Sequence, residues 1–296
     1  MSSAPVPQEP APSTGLLNEP EDAPRPRTGE AFSDQLQAWF GHLPLEIDDL
    51  FLLERFQLLY LPERAPLASL GAVLAAMPHL RRFIATRCPE LTDWLAGAVD
   101  AGSGSSEPVG GHARALVWEI ADLLVYQRFP EAYDALAELR WDADQLADVC
   151  ELEGRTIIDA GAGSGWLSED LARSGRVVFA VEPVGRLREY IRQRADRAAL
   201  GNLFVLDGLL HRIPLPASSA DVLVTSRAIG WQLADELVEI ERVVRPGGWA
   251  IHSVGTPDDS PRTELDERLE ASGYAPSRYR DAGGWRRRYA RRFDGG

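Results

Sequence analysis

The 296-residue chain contains no lysine; all 31 basic side chains are arginine. We read this as a compositional bias, such as that of a GC-rich bacterium, and not as function. Cysteine is almost as scarce. Cys88 and Cys150 stand alone, neither in a C-x-x-C pair, which excludes a disulfide framework. A reducing, cytoplasmic setting is the expectation. Long apolar runs are missing too. The longest, Leu67 to Met77, is too short to cross a bilayer. No basic stretch followed by an apolar core opens the sequence, so no secretory leader is expected. His42, His79 and His112 lie far apart and show no metal-ligand spacing. Positive charge is short in the first half: residues 1–150 hold 23 acidic and 10 basic side chains, residues 151–296 hold 22 and 21. The net of −14 therefore sits almost wholly in the first half, which would repel nucleic acid and favour a cationic partner.

Against these absences one stretch stands out. Thr156, Ile157 and Ile158 are a short β-branched run of the kind that forms a buried parallel strand. The run breaks into Asp159-Ala160-Gly161-Ala-Gly163-Ser-Gly165, and a helical pattern with Leu167, Leu171 and Ala172 follows. A second strand, Val177 to Val181, ends on Glu182. In a right-handed βαβ unit that acid falls beside the glycine turn, roughly 20 residues on, where a ribose diol would be held. Two cofactor classes use this geometry. A dinucleotide site has the pattern G-x-G-x-x-G and a helix end open to pyrophosphate. Here Trp166 stands where its last glycine should be. A glycine turn that binds nothing is the third reading.

The run D-x-G-x-G-x-G from Asp159 resembles motif I of the class I S-adenosylmethionine-dependent methyltransferases. Later stretches follow the same family in order. Asn202 to Leu206 reads as a third strand ending at Asp207-Gly208, and Asp207 matches the family's acceptor for the adenine amino group. The interval from there to Ile213-Pro-Leu-Pro216 is about two residues longer than usual and contains His211. Asp221 to Ser226 is a fourth strand. Arg227 to Trp231 follows, where the family begins its acceptor pocket. The ten-residue step from Asp221 to Trp231 also occurs in members acting on small carboxylates. A helix, Arg245-Pro-Gly-Gly248 and a fifth strand come next, then Pro261 to Ser272 as helix and a hairpin around Asp281-Ala-Gly-Gly284.

The resemblance covers roughly residues 130–296. It implies an α/β, Rossmann-like, seven-stranded class I methyltransferase sheet, with an all-helical domain ahead of it. Residues 1–29, with seven prolines by position 28 and few large apolar groups, read as a disordered tail. Residues 30–128 read as a helical cap or interaction domain and 129–296 as the cofactor-binding domain. Within the helical part, Phe32, Leu36, Trp39 and Phe40 share a face; Pro62 closes a second helix; residues 101–111 form a flexible loop; and one helix runs from His112 to Gln127.

The resemblance implies S-adenosylmethionine as cofactor, held by Asp159, Ala160, Gly161, Gly163, Gly165, Glu182, Pro183, Asp207, Gly208 and Ser226. The acceptor side draws on His211, Arg227, Trp231 and Tyr133. Arg227 could pair with a substrate carboxylate, and His211 or Tyr133 could serve as base for a hydroxyl or amine. No catalytic residue is singled out. The expected activity is methyl transfer to a small-molecule oxygen or nitrogen, carboxylate or hydroxyl foremost, with no metal. The other readings are a scaffold that keeps the fold without turnover, and a methyltransferase acting on protein or RNA through the seven arginines between 278 and 293. On a hairpin those arginines are expected to form a solvated face. The helical domain is the candidate surface for a second copy or a protein partner.

Overall fold

The computed structural model describes residues 43–135, 141–281 and 283–294. The proline-rich tail at 1–29 and the face built from Phe32, Leu36, Trp39 and Phe40 lie outside the described residues.

The first part is helical, and its prolines punctuate it. A 3-10 turn at Ile47–Leu52 leads into α1 (Arg55–Leu58), α2 (Leu61–Arg64), α3 (Leu67–Ala76) and α4 (Pro78–Arg87). Pro62 does not close a helix as expected. It sits in the first turn of α2, where its missing N–H costs nothing. α5 (Thr92–Gly102) runs into the stretch expected to be loop. The reason is a close crossing with α3. A Cβ on Gly71 would lie 1.7 Å from the Ala98 carbonyl oxygen, and one on Gly102 would lie 2.2 Å from the Ala72 nitrogen. Gly102 is thus a contact residue of a packed helix. The single helix expected over 112–127 is two, α6 (Val109–Glu119) and α7 (Ala121–Arg128), bent at Ile120 (φ −114°, ψ 18°). Leu53, Leu58, Leu70, Leu80, Ile84, Leu95 and Leu124 are fully buried and form one core.

Among the described residues, a 3-10 turn at Pro130–Ala135 and a short α8 (Asp144–Ala147) lead into the sheet. Seven strands follow: β1 (Thr156–Ala160), β2 (Val177–Val181), β3 (Leu203–Leu206), β4 (Ala220–Ser226), β5 (Val244–Pro257), β6 (Ala275–Asp281) and β7 (Gly284–Arg292). Their order is β3-β2-β1-β4-β5-β7-β6, parallel except for β7, which runs antiparallel between β5 and β6. β1 is buried along its whole length, with Ile157 in the core on one face and Ile158 in the core on the other. That is why its sequence is a continuous apolar run and not an alternating one. The helices α9 (Trp166–Leu171), α10 (Gly185–Arg197), α11 (Leu233–Val243) and α12 (Glu264–Ala271) connect the strands. β5 absorbs the Pro-Gly-Gly turn and extends to Pro257.

The terminal hairpin departs from expectation in its charges. Arg287 and Arg288 are buried rather than solvated. Arg287 meets Asp266 at 2.8 Å, and Arg288 meets Asp148 at 2.7 Å. A carboxylate opposite each guanidinium is what permits the burial. Arg278 conforms: it is exposed and lies over the Trp285 ring.

The strand order reverses at β1 and β4, and ligands of open parallel sheets sit in the crevice outside the strand ends at such a point. The helical unit lies there. Glu54 accepts a 2.5 Å hydrogen bond from the N–H of Gly185 at the start of α10, and Tyr60 packs on Trp231 with ring centroids 4.8 Å apart.

Candidate active site

Between the two parts lies a cavity of about 480 Å³. Its floor is the ends of four parallel strands: Gly161 and Gly163 after β1, Glu182 and Pro183 after β2, Gly208 to His211 after β3, and Ser226 to Ala228 after β4. Trp231 and Glu236 close one side. The roof comes from the helical unit: Phe56, Gln57, Tyr60 and Arg64 from α1, α2 and the turn between them, and Asp122, Leu123 and Tyr126 from α7.

The glycine turn shapes the floor. Gly161 has φ +74°, and a Cβ there would lie 2.3 Å from that of Ala228. Gly163 has φ +56° and donates its N–H to Glu182 Oε2 at 2.9 Å. The other oxygen of Glu182 accepts from Val184 N–H, also at 2.9 Å. Burial pushes the Glu182 carboxyl up to about 7, although both N–H bonds and nearby Arg188 pull the other way. A buried acid held at the cavity wall, with its proton loosely kept at neutral pH, can accept from a pair of ligand hydroxyls.

Three residues expected to touch a cofactor support the turn from behind instead. None lines the cavity. Asp159 is buried and accepts from the Ser168 hydroxyl at 2.5 Å, which ties β1 to α9; burial raises its carboxyl to about 6. Ala160 is buried in the sheet. Gly165 begins α9 in the left-handed region, and a Cβ there would meet Ile191 at 2.8 Å.

Asp207 stands directly after β3, as expected. Its side chain is 72% exposed and pairs with Arg188, so the wall at this point is Gly208 and the apolar Leu209 and Leu210. Pro183, Gly208 and Ser226 do line the cavity.

Of the acceptor-side residues, His211, Arg227 and Trp231 all line the cavity. Arg227 has φ +59°, and its guanidinium lies against Gly255, 2.7 Å from where a Cβ would be. The Tyr133 side chain lies outside the described residues; its backbone belongs to the 3-10 turn.

The roof contributes groups that the sequence reading passed over. Arg64 meets Asp122 through two 2.9 Å bonds, and burial raises the Asp122 carboxyl against the pull of that arginine. Asp122 was detectable in principle, as a lone acid inside the apolar run Ile120 to Val125. Gln57 donates to the Leu123 carbonyl and accepts from Gln127, which fixes α1 on α7. Glu236 gives its two oxygens to the N–H groups of Gly230 (2.7 Å) and Gln232 (2.9 Å) and so shapes the loop carrying Trp231. Nothing in the local sequence marked Glu236.

A test of cofactor class follows from the first turn of α9. Trp166 is its first residue, with its indole N–H on Asp142 at 3.2 Å and Arg194 over its ring. A bulky indole stands where a pyrophosphate-binding turn keeps glycine. The buried Glu182 and the cradle at Gly161 fit a nucleoside without phosphate. Among the described residues, no group of three or more metal-ligating side chains forms, and no helix is long and apolar enough to cross a membrane.

Comparison with known proteins agrees with this site. Residues 158–252, from β1 into β5, match the family model described as a methyltransferase domain. The matched stretch carries the glycine turn and the four strand ends that floor the cavity, so this part of the chain is a methyltransferase domain. A malonyl-[acyl-carrier protein] O-methyltransferase of Yersinia pestis is 32% identical over 134 residues, 43% of this chain and 48% of that protein. An uncharacterized methyltransferase of Mycobacterium tuberculosis (strain ATCC 25618 / H37Rv) is 36% identical over 95 residues, 32% of this chain and 37% of that protein. Among solved structures, a SAM dependent methyltransferase from Aquifex aeolicus aligns with TM-score 0.44 at 22% identity, covering 54% of this chain and 97% of that one. The chain spans about half the length of the curated relatives it matches.

Proposed function

We propose that the protein is an enzyme that transfers a methyl group from S-adenosylmethionine to an oxygen of a small molecule, a hydroxyl or a carboxylate. The observation that carries this is the cavity itself, floored by the four strand ends and roofed by helices of the same chain. Glu182 would accept from the ribose hydroxyls, Gly161 and Gly163 would let the backbone approach the cofactor, and Pro183, Gly208 and Ser226 would flank it. Asp159, Ala160 and Gly165 hold that turn in shape. When bound, S-adenosylmethionine supplies a methyl group already activated by the positive charge on its sulfur.

The chain's own work is alignment and exclusion of water. Holding two reactants in line is worth ~7–11 kcal/mol in favourable cases. The helical unit provides the exclusion: Phe56, Leu123 and Tyr126 cover the crevice that the strand ends leave open. We read residues 43–128 as this cap, and not as a detached module. A carboxylate acceptor would need no base, whereas a hydroxyl would. A relative named as an O-methyltransferase supports oxygen as the acceptor atom.

Calorimetry with S-adenosylmethionine and with NADH tests the cofactor. Binding of the first and not the second is expected, and tight NADH binding would overturn the reading. Transfer of a labelled methyl group to acceptors from a small-molecule pool then separates an enzyme from a scaffold, which would bind without turnover.

A further inference from the structure

The polar groups that line the cavity divide into those already engaged and those that are not. Glu182 and Glu236 each give both oxygens to backbone N–H groups. Asp122 gives both to Arg64. The Arg227 guanidinium lies over Gly255 on β5. The carboxylates that line the cavity are thus engaged by the chain itself.

What remains is aromatic, with one imidazole. Tyr60 and Trp231 form a tilted pair between roof and floor, with Trp231 58% exposed at the cavity mouth. His211 lines the same cavity, close enough to Glu239 on α11 to act on its carboxyl. α11 gathers these groups into one corner. Its Glu236 shapes the Trp231 loop, and Glu239, one turn on, holds the N–H of Ile213 at 2.6 Å, two residues from His211. Flat rings gain from offset stacking on aromatic side chains, and an imidazole can receive a hydroxyl proton.

We propose that the acceptor is a planar, hydroxyl-bearing ring compound, stacked at the Tyr60–Trp231 corner, and that His211 is the catalytic base for its hydroxyl. This rests on the methyl-transfer reading above. His211 takes the hydroxyl proton as the oxygen bonds to the methyl carbon; the carbon–sulfur pair stays on sulfur, so the positive charge lost there reappears on the imidazolium and leaves as a proton to water.

The test uses the full chain and begins with S-adenosylhomocysteine. If that does not bind, the methyl-transfer reading has failed, and this one with it. With it bound, calorimetry compares 2-naphthol, 2-methoxynaphthalene and glutarate. 2-Naphthol should bind at least about tenfold more tightly than glutarate, and Trp231→Ala or Tyr60→Ala should each weaken it by about tenfold. Trp231→Phe, which keeps a ring, should stay within about threefold. In protein carrying ¹⁵N-histidine, the His211 ring signals should move with 2-naphthol and hold still with 2-methoxynaphthalene, which has no proton to give. His211→Gln should keep ring binding and lose most of the single-turnover rate. Tighter binding of glutarate, no binding of either ring, unchanged affinity in Trp231→Ala, or an unmoved His211 signal would each overturn the proposal while leaving methyl transfer standing.

Discussion

Lowering the pH should loosen the cofactor through one residue, Glu182. Burial holds this carboxyl protonated up to about 7, against an ordinary 4.5. The interval corresponds to roughly 3 kcal/mol, the cost of ionising it inside the folded chain. In the empty protein that cost appears as stability that is complete below 4.5 and is lost as the pH rises through about 7, because the unfolded carboxyl has already given up its proton. A ribose diol donates to the carboxylate and so favours the ionised form. Binding below pH 7 must then release a proton. The affinity for S-adenosylhomocysteine should rise by up to about tenfold per pH unit, roughly thirtyfold from pH 5.5 to 7.5, and level off above. Calorimetry in buffers of different ionisation enthalpy reads both the affinity and the proton count. Glu182→Gln should flatten the dependence and weaken binding at pH 8 by about 1–3 kcal/mol, since one backbone N–H then faces an amide NH₂. Asp159 is also raised, to about 6, but it is bonded to Ser168 behind the turn, so it should contribute little. A pH-independent affinity in the native chain, or an unchanged one in Glu182→Gln, would refute the reasoning.

Two further predictions concern stability. Gly71→Val should separate α3 from α5, because the added Cβ would start 1.7 Å from a carbonyl oxygen; we expect a loss of about 3 kcal/mol or more in a urea titration, and a normal midpoint would show that the helices can slide apart freely. Arg287→Met should cost about 3–5 kcal/mol at pH 7 by leaving the buried Asp266 unpaired. In the native chain burial pushes Asp266 up, but the Thr263 N–H, the Tyr289 and Thr263 hydroxyls and Arg287 together hold it below its ordinary value. That stability is present above the ordinary carboxylate range and lost as the pH falls, so the gap between native and Arg287→Met should narrow in acid.

The sheet was legible because its signals are local. β-branched runs, a glycine turn and an acid at a strand end each mark themselves within a few residues. The cavity floor was legible for the same reason. Its roof was not. Tyr60, Arg64 and Asp122 meet the strand ends only through tertiary packing, and a helix's sequence does not say which neighbour it will cover. The errors share that origin. Gly102 looked like loop because its partner, α3, lies some thirty residues back. Arg287 and Arg288 looked solvated because their carboxylates, Asp266 and Asp148, come from elsewhere in the chain.

The bond from Gly185 to Glu54 joins the helical part to the sheet part beside the site. It fastens the roof at the end of β2, three residues from Glu182, and the Gln57–Gln127 pair stiffens it there. At the opposite side the roof touches the floor through the Tyr60–Trp231 rings, which can part without breaking a hydrogen bond. The roof is therefore held by a hydrogen bond beside Glu182 and by ring packing at Trp231. A ligand seated against Glu182 would lie under the hydrogen-bonded end.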